Sequence, residues 1–138
     1  MKKVKRGLRN NNPGNIRINT DKFKGEVIPS PDPAFKNFET MAYGYRAIFK
    51  TLQTYARKYQ LTTIKQWIYR WAPPKDNNHT EAYVSFVCKY TQVGPDVSVD
   101  CDNKEFMCKV AAAISYQENG VAPDLSEVNT GWTLLIRR

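Results

Sequence analysis

Two periodicities divide this chain. Up to Glu39, apolar and polar residues alternate in short stretches broken by turn-formers, whereas from Thr40 onward the apolar residues recur at three- and four-residue steps. In the first part Asn12-Pro13-Gly14-Asn15 is a strong turn signal. Ile16-Arg17-Ile18-Asn19 alternates like a strand, and Phe23-Lys24-Gly25 leads to a second extended piece, Glu26-Val27-Ile28. Pro29, Pro31 and Pro33 forbid helix and predict an exposed bend before Ala34-Phe35-Lys36-Asn37-Phe38. Residues 8–39 are therefore expected to form a small β lobe of hairpins and turns.

In the second part Thr40 suits the cap of a long helix with the apolar face Met41, Tyr45, Ile48, Phe49, Leu52, Tyr55, Ala56 and Tyr59. Thr62 or Thr63 opens a short helix presenting Ile64, Trp67, Ile68 and Trp71, which stops at Pro73-Pro74. Asp76 to Asn78 are expected to cap a third, with Tyr83, Val84 and Val87 buried. Asp102 or Asn103 starts a fourth, which carries Phe106, Met107, Val110, Ala111, Ala113, Ile114 and Gln117 to a glycine stop at Gly120. The spacing predicts an α+β fold, mainly α: a single domain with an N-terminal β lobe and about four helices over residues 40–123. In the tail, 124–138, Gly131-Trp132-Thr133-Leu134-Leu135-Ile136 reads as a last strand or helix packing on the β lobe.

Composition narrows the chemistry. A chain of 138 residues, 41% apolar, suffices for one core. No run approaches the roughly twenty apolar residues of a membrane span, and the basic Met1-Lys2-Lys3-Val4-Lys5-Arg6 leads into Asn10-Asn11-Asn12 rather than an apolar signal core, so neither a span nor a secretory signal is expected. Cys88, Cys101 and Cys108 lack a Cys-x-x-Cys pair and a histidine at ligand spacing; no metal or other cofactor is expected, and buried free thiols are the default, with a disulfide between two of them as the alternative. The only histidine, His79, sits in a helix-start sequence and reads as a surface or cap residue, which disfavours triad chemistry. The net charge of +8 attracts polyanions. No zinc-finger, glycine-rich phosphate loop or helix-turn-helix pattern accompanies it, so nucleic acid is not expected as the partner.

What remains is carboxylate chemistry. Ala111-Ala112-Ala113-Ile114-Ser115-Tyr116-Gln117-Glu118-Asn119-Gly120 is an apolar helix ending on one carboxylate. The negative end of the helix dipole and apolar neighbours both disfavour its ionised form, which suits a proton donor. Glycoside cleavage needs such an acid, and many enzymes add a second carboxylate across the sugar; Asp32 and Glu26 in the β lobe are the candidates, with Glu39 at its exit. Trp71 and Tyr116, with Tyr43, Tyr69 and Tyr83, are candidates to floor a sugar cleft or to belong to the core.

Arg6 to Arg17 with its Asn-Asn-Pro-Gly-Asn-Ile-Arg string, Phe23-Lys24-Gly25, Asp32 to Phe38, Gly44-Tyr45-Arg46-Ala47, Arg70-Trp71-Ala72-Pro73-Pro74 and Glu118-Asn119-Gly120 together resemble small phage and prophage proteins labelled virion structural proteins, from about residue 6 to 123. The β lobe is also similar to the β wing of lysozyme-like glucosaminidases and lytic transglycosylases that cut peptidoglycan. Those enzymes place the catalytic glutamate on a helix before the wing. No such helix precedes residue 10 here, so the likeness implies a circularly permuted lysozyme-like domain in which the Arg9 to Asn15 loop folds back against Glu118. It implies Glu118 as general acid in peptidoglycan cleavage, Asn11, Asn12, Asn15 and Arg17 as substrate contacts or turn residues, and no cofactor. Cell-wall peptidoglycan would be the partner, possible virion or envelope proteins besides, with synthesis in the bacterial cytoplasm and residence in a virion or envelope. The competing class is a non-catalytic virion or wall-binding module.

Overall fold

The computed structural model describes residues 4–137; part of the basic N-terminal cluster and the last arginine lie outside them. In chain order the elements are α1 (Arg6–Arg9), β1 (Glu26–Val27), β2 (Asn37–Phe38), α2 (Met41–Tyr59), α3 (Ile64–Trp71), a 3-10 turn (Pro74–Asp76), α4 (Thr80–Thr91), α5 (Lys104–Asn119) and α6 (Leu125–Ile136). The expected division, mainly helix with a small β lobe, is what the chain adopts.

The lobe is held by side chains as much as by strands. β1 and β2 pair antiparallel, Glu26 opposite Phe38 and Val27 opposite Asn37. The expected strand at residues 16–19 is a single antiparallel bridge, Arg17 to Phe35, flanked by Ile18 N–H donating to Ala34 O at 3.0 Å and Lys36 N–H donating to Ile16 O at 2.9 Å. Pairing extends no further on the Ile16 side because Asn12 Oδ1 accepts from Ile16 N–H. The lobe also buries Lys36 completely; its ammonium donates to Glu26 Oε2 at 3.0 Å and to Asp21 O at 2.9 Å, beneath the ring of Phe23.

Three of the helices start where a side chain predicted as the cap satisfies a free N–H group. Thr40 Oγ1 accepts from Tyr43 N–H, Thr63 Oγ1 from Gln66 N–H and Asn103 Oδ1 from Phe106 N–H, as the sequence predicts. Three expectations are corrected. A single-turn helix, α1, precedes residue 10. Asp76 to Asn78 do not cap α4: Asp76 closes the 3-10 turn, Asn78 Nδ2 donates to Pro73 O, and exposed His79 takes the cap position without a side-chain bond. Five helices rather than four follow the lobe, because the tail is helical from the Asp124 cap, with Val128 and Trp132 buried on one face.

That tail helix lies along α2, not on the lobe. Trp132 meets the Phe49 ring edge-on at 5.1 Å, and Gly131 lets the two helices close: a Cβ there would come within 2.7 Å of Tyr45 Cβ. The core gathers Tyr45, Ile48, Phe49 and Leu52 of α2, Ile64, Trp67 and Ile68 of α3, Val84 and Val87 of α4 and the inner face of α5. Gln117 and Tyr59, expected on buried faces, are exposed. All three cysteines are free thiols, Cys101 buried and the others half-buried.

Candidate active site

α5 runs through the core on Met107, Val110 and the alanines 111–113, and its C-terminus is fixed by Gly120 at φ 69°, whose N–H donates to Tyr116 O at 2.8 Å. The last turn therefore presents two neighbouring polar side chains in fixed positions. Asn119 is fully buried; its Nδ2 donates to Pro13 O at 3.0 Å and to Ser115 O at 2.9 Å, clasping the N-terminal turn to the helix end. Glu118 is half-buried and faces a cleft.

The turn that meets it is built for close approach. Asn11 and Asn15 hold left-handed backbone at φ 51° and 50°, a conformation asparagine tolerates better than most residues. Gly14 lies under the indole of Trp71, where a Cβ would come within 2.6 Å of Cζ2. Asn15 Nδ2 donates to Glu118 Oε1 at 2.9 Å, and from α4 the buried Tyr83 hydroxyl donates to Oε2 at 2.9 Å. The fold-back of the Arg9 to Asn15 loop onto Glu118 is thus present. Burial raises the carboxyl's pKa above its usual range, and the bonds from Asn15 and Tyr83 pull it only part of the way back. Tyr83 is itself pushed well above its ordinary value, first by burial and then by the adjacent carboxylate, so it stays a donor.

Glu118 lies in an open cleft of about 740 Å³ between the lobe and the helices. The lobe wall includes Asn15, Arg17 and Phe35; the helical wall includes Tyr55, Arg70 and Trp71. Of the sequence-derived candidates, Asn15, Arg17, Tyr69, Trp71 and Glu118 come together here. The others are placed elsewhere. Asp32 accepts from Asn10 Nδ2 and from the N–H groups of Ala34 and Phe35 and faces Arg6; these bonds hold its carboxyl below the usual range and hold the proline bend in shape. Glu26 is the counter-ion of Lys36. Asn11 Nδ2 donates to Phe38 O, and Asn12, wholly buried, donates to Lys36 O. Tyr116 stacks edgewise on Phe86, away from the residues lining the cleft. Sequence reasoning placed Tyr83 in a buried stripe and missed it as a partner of Glu118; its one polar atom on a buried helical face was the available signal.

Among the described residues the carboxylates lining the cleft are Asp21, Asp76 and Glu118, the first two exposed. No three His, Cys, Asp or Glu side chains among the described residues cluster as metal ligands do. Nor, among them, is any helix long and apolar enough to cross a membrane.

Fold and site together define a helical domain with a small clasped lobe and one half-buried acid in an open cleft. No family model matches the chain. It is 40% identical over 121 residues to Protein P5 of Pseudoalteromonas phage PM2, covering 86% of this chain and 73% of that protein, and the chain belongs to this phage protein family.

Proposed function

We propose that the chain acts on bacterial cell-wall peptidoglycan as a glycosidase of the lytic transglycosylase type, with Glu118 as its general acid. The observation that carries this reading is the setting of Glu118: a carboxyl with raised pKa, oriented by Asn15 and Tyr83, facing a cleft with room for a glycan. The similarity of the lobe motifs to the β wing of wall-cleaving enzymes supports it, as does membership in a phage family.

In this reading Glu118 passes its proton to the oxygen linking two amino sugars as the C1–O bond breaks, leaving a free hydroxyl on the departing sugar and an oxocarbenium-like C1. The sugar's own 6-hydroxyl then closes on C1, and its proton returns to the Glu118 carboxylate. No water is consumed and no second carboxylate is required, which accords with Asp32 and Glu26 being committed to the lobe. Trp71 and Asn15 contact the glycan; Asn11, Asn12 and Gly14 shape the turn that presents them.

Clearing of purified peptidoglycan by the wild-type protein beside Glu118→Gln, with soluble products identified by mass, tests this. Clearing by the wild type alone, with 1,6-anhydro ends, is expected. Reducing ends would name a hydrolase. No clearing by either folded protein would leave a non-catalytic virion or wall-binding module.

A further inference from the structure

The cleft carries positive charge that proton donation by Glu118 does not use. Arg17 on the lobe wall and Arg70 on the helical wall both line it, and both are exposed. Elsewhere Arg6 and Arg9 face Asp32, Lys36 holds Glu26, Arg57 meets Asp102 and Lys109 meets Glu105, while exposed Lys75 adds a third cation to the cleft lining. Among the described residues Arg17 and Arg70 have no carboxylate partner.

Each guanidinium lies instead on aromatic rings. Arg17 sits 5.0 Å from the centre of the Phe35 ring; Arg70 sits 4.1 Å from Tyr59 and 5.3 Å from Tyr55. Stacking occupies the flat face of the group rather than its N–H edge, of which Arg70 shares one donor with the Tyr55 hydroxyl, so the fork is restrained in advance and loses less entropy on meeting a ligand than a free side chain would. Burial pushes the Tyr55 hydroxyl up to about 12, so the ring beneath Arg70 stays neutral and does not spend the charge.

The amino sugars offer hydroxyls and acetamides, which do not need a guanidinium, and the lactyl group of the muramic sugar offers one carboxylate close to the ring only where no stem is attached, whereas a stem carries several that reach further out. A carboxylate matches the fork with two parallel hydrogen bonds. We propose that Arg17 and Arg70 bind the carboxylates of the peptide stems carried on wall glycan, so that the cleft selects stem-bearing over bare glycan. The inference rests on the reading that the cleft holds wall glycan.

The test uses Glu118→Gln protein, which binds without turnover, retained on bead-coupled wall glycan free of phosphate polymers, before and after an amidase removes the stems and the lactyl carboxylates so freed are capped as amides. Retention about 10-fold weaker on the stripped glycan is expected, the size of effect one charge-assisted hydrogen bond gives. Adding Arg17→Ala and Arg70→Ala to that protein abolishes the preference, with circular dichroism and melting temperature unchanged. Equal retention on both glycans, retention on neither, or a preference that survives loss of both arginines overturns the proposal. The two readings fail separately. Wild-type clearing of stripped glycan as fast as stem-bearing glycan removes the stem preference and leaves the enzyme. Stem preference in the Glu118→Gln protein without any wild-type clearing keeps the arginine site and removes the catalysis.

Discussion

Glu118 gives up its proton less readily than an ordinary glutamate, against two hydrogen bonds that favour its loss. Burial outweighs the bonds from Asn15 and Tyr83, so the folded-state pKa stands above the ordinary value of 4.5. A carboxyl raised in this way costs the folded protein stability when ionised. That cost is full above the folded-state pKa, shrinks as the pH falls through it and vanishes below 4.5, where folded and unfolded chains are both protonated. Glu118→Gln is thus expected to gain thermal stability over wild type at neutral pH, with the gain shrinking on acidification; a gain independent of pH from 4 to 8 would show that ionisation is not its source. Glu118 itself was legible because a glycine stop and an apolar run mark one place on the chain. Its partners were not, since Asn15 lies 103 residues away and Tyr83 lies 35 away, and nothing local signals that they meet. Asp32 and Glu26 show the converse: a carboxylate in a turn looks available until Asn10 and Lys36 are seen to occupy it.

Among the elements, α2, α3 and α5 were readable from their caps, whereas α6, though capped by Asp124, was left open between strand and helix. Thr40, Thr63 and Asn103 mark their helices because the bonds are local. α6 was ambiguous because Gly131 reads as a breaker, yet in place it is the contact that seats the helix on α2. The β lobe has two-residue strands and depends instead on the buried Lys36–Glu26 pair. Lys36→Met is expected to destabilise the protein by about 3–5 kcal/mol, because it strands a buried carboxylate, while adding Glu26→Leu recovers much of that loss. Urea midpoints of the single and double variants measure this, and a single variant within about 0.5 kcal/mol of wild type would show the pair to be unimportant.

At the scale of the molecule, the lobe is a clasp closed by α5. Asn119 joins residues 106 positions apart in sequence, and Gly7 packs against its side chain so tightly that a methyl group would not fit. Asn119→Ala removes two donated bonds and leaves Pro13 O without its partner, so a loss of about 1–3 kcal/mol is expected. Asn15 also loses its support, and wall clearing is expected to fall further than stability does; clearing that merely tracks the folded fraction would mean the clasp does not position Asn15.

The clasp also sets when the cleft comes into being. Its two halves are the Asn12 to Asn15 turn and the end of α5, and a contact of such long range forms only after the chain between has been ordered. A nascent chain that stops at residue 103 has α2, α3 and α4 but no Glu118, and a fragment lacking residues 6–15 keeps the acid and Tyr83 but has lost Asn15. The cleft is therefore a late product of folding, and no chain that stops before residue 118 carries its acid.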